Sequence, residues 1–211
     1  MKYLCIGDSN TYGYDARDFF GGRYAHPWPE ILQELTANVC VNLGENGREI
    51  PHRDWEIGYI DRQIREELSV EESPVEELPA GELSAAGLLI LLGTNDILNL
   101  FSEVEETVCG RMDAYLAHLN ETFPQTKKVL ICPMRILELG DGAAAVSRSL
   151  PDRYRELAEK YGAAFIDAGA WNLPIAYDGV HLTEEGHRLF AEHLQKELFD
   201  AASVSGTGET R

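Results

Sequence analysis

The stretch KYLCIGDSNTYGYD, residues 2–15, decides how the rest of the chain reads. It begins as an apolar strand, KYLCI, and breaks at once into Gly, Asp, Ser and Asn, which are turn residues. A buried strand ending in a polar turn needs no function. Yet the first strand of a parallel α/β sheet ends where such folds place their ligands. A serine at that edge is a candidate nucleophile, and the remaining sequence has to decide.

Outward from this strand, short apolar runs alternate with segments of helical period. HPWPEILQELTA (26–37) reads as a helix, NVCVN (38–42) as a second strand, and DWEIGYIDRQIREEL (54–68) as a helix with Ile57, Ile60, Ile64 and Leu68 on one face. GLLILL (87–92) is the next strand. Residues 102–123 carry Val104, Val108, Met112, Tyr115, Leu119 and Phe123 at helical steps, with Ser102 and Glu105 as an expected capping box. KKVLIC (127–132), a helix over 151–162 closed by Gly162, AAFIDA (163–168) and a final helix over 183–199 capped by Thr183 complete the series. Such alternation predicts a three-layer α/β/α architecture around a five-stranded parallel sheet of flavodoxin-like type. Residues 1–200 are expected to form one domain. Residues 66–82 read as a solvated helix end and linker, and 201–211 as a disordered tail.

Composition narrows the partners. The formal net charge is −18, from 36 acidic against 18 basic residues, while 44% of residues are apolar. Nucleic-acid binding runs on Lys and Arg neutralising phosphates, so that class is disfavoured, as are anionic membrane surfaces. No run approaches the ~18 apolar residues of a membrane span. Met1 leads directly into a strand with no signal-peptide pattern. Cys5, Cys40, Cys109 and Cys132 are widely spaced without a C-x-x-C pair, and are expected to be buried free thiols. The expected location is the cytoplasm, and no metal or organic cofactor is expected. Oligomeric state is left open.

The strand ends carry the chemistry-bearing residues. Gly7-Asp8-Ser9-Asn10 follows the first strand, LGENG with Gly44 and Gly47 the second, Gly93-Thr94-Asn95-Asp96 the third, and YDGVHLT with Asp178 and His181 precedes the last helix. Each piece alone has an ordinary structural reading: turn glycines, a helix cap at Asn95, a turn aspartate at Asp178, a surface histidine at His181. Together they supply a serine, a histidine, an acid, an amide and free backbone N–H groups at one sheet edge, the parts of acyl transfer.

GDSNT, the glycine of NLGENG, GTND and DGVH resemble, in order and over residues 7–181, the four sequence blocks of the SGNH hydrolases, the GDSL esterases and lipases. The aromatic segment that follows is similar to that of the arylesterase and acyltransferase branch. The resemblance implies a serine esterase for small carboxylic esters, acetyl or short acyl, carbohydrate and aryl esters included. Ser9 would be the nucleophile, His181 the base and Asp178 its partner. Ser9 N–H, Gly44 N–H and the Asn95 amide would form the oxyanion hole. Asn10 stands where the family has leucine, a variation expected to leave the chemistry untouched.

Other readings were weighed against this one. A binding module on the same fold, recognising an acyl or glycan group without catalysis, is the alternative function. Asp8 as phospho-acceptor or metal ligand is weaker than Asp8 ordering the turn around Ser9. His187 and His193, six apart, do not share a helix face as metal ligands would, and are expected to be one packed and one surface histidine. Nucleotide-binding glycine motifs are absent from the sequence. Tyr12 to Trp28 reads equally as a wall of a substrate pocket or as a loop packing its aromatics over the sheet edge, and residues 136–150 are the other candidate wall.

Overall fold

The computed structural model describes residues 1–18, 20–69, 87–100, 102–136 and 141–200. Five strands, β1 (Lys2–Gly7), β2 (Val39–Gly44), β3 (Gly87–Leu91), β4 (Lys127–Cys132) and β5 (Ala164–Asp167), form one parallel sheet in the order β2-β1-β3-β4-β5. All five residues of β3 are buried. That continuous apolar run is what a central parallel strand requires, because helices cover both of its faces.

Helices α3 (Asp54–Ser69), α5 (Val104–Thr122) and α6 (Asp141–Tyr161) pack on one face, where Ile60, Ile64, Met112, Tyr115 and Tyr154 meet Leu4, Ile6, Leu88 and Ile90. Helices α2 (Trp28–Thr36) and α7 (Glu184–Gln195) cover the other, where Trp28, Leu32, Phe190 and Leu194 meet Cys5, Leu89, Leu91 and Ile131. The chain leaves β1 toward β2 and then crosses back to β3, so the order reverses between β1 and β3. Such a switch point opens a crevice at the carboxyl ends of the strands.

Several elements differ from the sequence expectation for identifiable reasons. Two short helices, α1 (Ser9–Tyr12) and α4 (Thr94–Asn99), occupy stretches read as turns. Neither is long enough to display a helical period. Helix α6 begins at Asp141, ten positions ahead of the expected start at Pro151, which sits inside the helix. Helix α6 tolerates its missing N–H while burying Leu150, Tyr154 and Ala158. Residues 141–150 of the expected pocket wall are therefore helical, and 137–140 lie outside the described residues. At the start of α5, Glu103 holds the cap position at φ 47 with no side-chain cap, so the Ser102–Glu105 capping box does not form. Thr183 does cap α7, accepting from Gly186 N–H, and Gly162 closes α6 at φ 65. Of the stretch 66–82, residues 66–69 end α3 and the rest lies outside the described residues, as does 201–211.

The four cysteines are buried and free. Among the described residues no helix is long and apolar enough to cross a membrane.

The edge where β1 meets β2 has no room to spare. Gly7 and Gly44 are paired in register, and a Cβ on Gly44 would stand 2.1 Å from Tyr12 N and 2.6 Å from the Thr11 carbonyl carbon. Helix α1 lies directly over that glycine. Gly44→Ala should therefore destabilise the protein by about 1–3 kcal/mol, the usual cost of overpacking, read as a lower urea midpoint. Gly58→Ala, in exposed α3 with nothing within 4 Å of the added methyl, should instead leave the midpoint unchanged or raise it.

Candidate active site

Three side chains from two distant parts of the chain meet at the carboxyl edge. Asp8, capping α1 through its Oδ1 to Asn10 N–H at 2.9 Å, turns the chain so that Ser9 opens the helix immediately beyond β1. Ser9 Oγ lies 2.8 Å from His181 Nε2, and His181 Nδ1 lies 2.6 Å from Asp178 Oδ2. Asp178 Oδ1 also accepts from the N–H groups of Val180 and His181, each at 3.0 Å. One tight loop thus aims the carboxylate at the ring and fixes the backbone that bears it. Burial pushes the Asp178 carboxyl up, but the His181 ring and the two N–H groups outweigh it and hold it below the usual carboxylate value. Tyr14 packs against the His181 ring at a centroid distance of 4.7 Å.

The expected donor set is brought to the same edge with one correction. Among the described residues no acceptor takes the Ser9 N–H. Asn95, in the first turn of α4, donates through Nδ2 to the Arg48 carbonyl at 3.0 Å, leaving its second amide hydrogen free. Gly44 does not offer the donor expected of it, because its N–H is given to Asn42 Oδ1 at 2.9 Å. Asn42 in turn donates to the Thr11 carbonyl, tying β2 to α1. Three residues on, Gly47 has φ 77 and an N–H with no acceptor among the described residues.

Asp96 and Arg111 were not singled out by sequence. Asp96 is fully buried; its Oδ2 accepts from Ile50 N–H at 2.9 Å and its Oδ1 from Arg111 at 2.7 Å. Arg111 also pairs with Glu49. This network pins the loop after β2 against α4, next to Asn95. The only available signal was an acid in GTND directly after the amide.

The aromatic segment divides. Tyr24 and Trp28 are core residues, Tyr14 faces His181, and Phe20 is 93% exposed. Phe19 lies outside the described residues. Two open grooves adjoin the loops that carry the site, although none of Ser9, Asn95, Asp178 and His181 lines either. One of about 830 Å³ is lined by Arg17, Tyr177 and Thr183, next to the His181 loop, and another of about 710 Å³ by Gly47, Arg48, Trp55 and Tyr59. Among the described residues no cluster of three or more His, Cys, Asp or Glu could hold a metal ion. His187 is fully buried and His193 stacks on Trp171 at 4.8 Å.

Two buried groups near the site respond to pH in opposite senses. Burial raises the Asp8 carboxyl to about 6, against the pull of the Asn10 N–H. Burial lowers the His187 imidazole to about 4. The native state binds the Asp8 proton more tightly than the unfolded chain, so that contribution is lost as pH rises through about 6. His187 works the other way, and its contribution is lost as pH falls through about 4. Asp8→Asn keeps the cap and removes the titration. Its stability relative to the parent should climb between pH 4 and 6 and then level, measured by urea unfolding at each pH; a pH-independent difference would refute the assignment.

Residues 5–189 match the model of the GDSL-like lipase/acylhydrolase family. No curated protein sequence matches the chain. Among solved structures, the chain is similar to a carbohydrate acetylesterase from Sinorhizobium meliloti, with a TM-score of 0.75 at 19% identity, covering 96% of this chain and 99% of that one. It is similar to the inhibitor-bound aryl esterase of M. smegmatis, with a TM-score of 0.75 at 20% identity, covering 94% and 98%. A member of the lipolytic G-D-S-L family from Veillonella parvula gives a TM-score of 0.67 at 21% identity, covering 94% and 98%.

Proposed function

From the premise that this chain belongs to the GDSL-like lipase/acylhydrolase family, and so is a carboxylic ester hydrolase, we propose that it cleaves small acyl esters through an acyl-enzyme on Ser9. The observation that carries this reading is the unbroken line from Ser9 Oγ through His181 to Asp178, at 2.8 and 2.6 Å. A serine hydroxyl is a poor nucleophile unless a base takes its proton during attack. His181 Nε2 takes that proton as Oγ bonds to the acyl carbon, and Asp178 holds the ring and offsets the imidazolium charge. The C–O bond to the alcohol breaks as His181 returns the proton to the leaving oxygen. Water then attacks the acyl-enzyme with His181 again as base, releasing the acid and restoring Ser9.

The developing oxyanion is received by Ser9 N–H and the free hydrogen of the Asn95 amide. Gly47 N–H takes the place expected of Gly44, because Gly44 is committed to Asn42. Gly47 adjoins Arg48, the residue that orients Asn95. Acetyl to butyryl esters are the preferred substrates, since the Tyr14 ring packs against His181 at 4.7 Å and crowds the space for a long acyl chain.

A fluorophosphonate probe should label the wild type and spare Ser9→Ala, and His181→Ala should lose several orders of magnitude in turnover. Asn95→Ala should lower kcat by ~10²–10³ with little change in KM, the usual cost of one oxyanion donor. Equal labelling of Ser9→Ala would reject Ser9 as the nucleophile, and a wild type that neither labels nor hydrolyses esters would favour a binding module.

The 710 Å³ groove takes the alcohol portion of the ester. Trp55 is 67% and Tyr59 40% exposed there, four positions apart on α3, so both rings are available to a cyclic alcohol such as a phenol or a sugar. Trp55→Ala should raise KM for phenyl acetate or an acetylated glycoside by about 3- to 10-fold, the worth of one ring contact. Ethyl acetate, which has no ring, should be unaffected. Equal effects on both alcohols would remove the groove from recognition.

A further inference from the structure

Asn10 follows Ser9 in α1 and is 1% exposed. Both polar atoms of its side chain bond to the other end of the chain. Oδ1 accepts from Leu182 N–H at 2.8 Å, and Nδ2 donates to the Val180 carbonyl at 3.3 Å. Those two backbone groups flank His181. One amide therefore reads the His181 segment as a neighbouring strand would, through a carbonyl and an N–H two residues apart. The Asn10 N–H is at the same time fixed by Asp8.

We infer that Asn10 is a positioning residue that holds the His181 segment at a set distance from Ser9; the inference rests on the ester mechanism proposed above. Asp178 fixes the His181 N–H and Ala176 N–H donates to the His181 carbonyl, but both lie on the histidine's own loop. Among the described residues, the hydrogen bonds joining α1 to residues 180–182 are the two made by Asn10 and the Ser9–His181 contact itself. Without Asn10, the bond of the reacting pair would be the one hydrogen bond left, among the described residues, between α1 and residues 180–182, beside the packing of the core. A leucine at this position could fill the space but could supply neither bond, and would leave the Leu182 N–H buried without its partner.

The test uses the intact protein with ethyl acetate and the fluorophosphonate probe. Asn10→Leu should lower kcat by about 10- to 100-fold, the scale of a misplacement near 1 Å, with KM little changed. The rate of Ser9 labelling should fall by the same factor. Asn10→Asp has the shape of the original and discriminates positioning from mere stability. Protonated, its carboxyl can still donate to Val180 and accept from Leu182; ionised, it cannot donate and repels the Val180 carbonyl. Its pH–rate profile should therefore acquire an alkaline decline where the wild type is flat. A folded Asn10→Leu protein with wild-type kcat, or an Asn10→Asp protein with the wild-type pH profile, would overturn the inference. If Asn10→Leu does not fold, the Asn10→Asp profile decides alone. Activity retained by Ser9→Ala would instead refute the ester mechanism, whereas full activity in the Asn10 variants beside an inert Ser9→Ala refutes only the positioning role.

Discussion

The 2.8 Å contact between Ser9 Oγ and His181 Nε2 joins residues 172 positions apart. Such a contact is worth little by itself; a net hydrogen bond contributes only about 1 kcal/mol. It exists because the sheet and its two helix layers bring the end of β1 and the entrance to α7 to one edge. Leu4, Ile6, Leu182 and Phe190 are fully buried, so neither carrier can shift without opening a core. The weak polar contact inherits its geometry from the strong apolar ones.

Electrostatics around that edge are unusual for so acidic a chain. Most of the −18 net charge resides in carboxylates that can face water, yet Asp8 and Asp96 are almost fully buried. Asp96 is held by a guanidinium and a backbone N–H, which is the condition under which a buried carboxylate survives. Burial raises both carboxyls, that of Asp8 to about 6, and Asp8 has no guanidinium partner. Asp96 anchors the loop after β2 through a guanidinium and an N–H, and Asp8 shapes the serine turn through the Asn10 N–H. Their roles follow from partners rather than residue type.

Periodicity sufficed for the sheet, the parallel class and the long helices, because burial on both faces leaves a continuous apolar mark in strands such as GLLILL. It failed at α1 and α4, whose four and six residues are set by caps and tertiary contacts. It also failed at α6, where Pro151 read as a boundary although the surrounding core tolerates it. At the candidate site the residue types and their order were legible, since each strand end announces its turn. What pattern could not supply was how each donor is already engaged. Gly44 looks like a free N–H in NLGENG, and only folding reveals that Asn42, two residues earlier, takes it.

A common device holds the three site side chains. Ser9 is followed by Asn10, Asn95 by Asp96, and His181 by Leu182, and each of these following residues is at most 1% exposed. Each partner is thus one peptide, 3.8 Å, from an anchor that solvent does not reach. The anchors differ in chemistry: an amide spanning two backbone groups, a carboxylate paired with Arg111, an apolar side chain in the core. Loops that carry function are ordinarily the mobile part of a domain. A buried residue directly after each site residue restrains the backbone there; under the proposed mechanism the Ser9 hydroxyl and the His181 ring would exchange a proton while their backbones are so held.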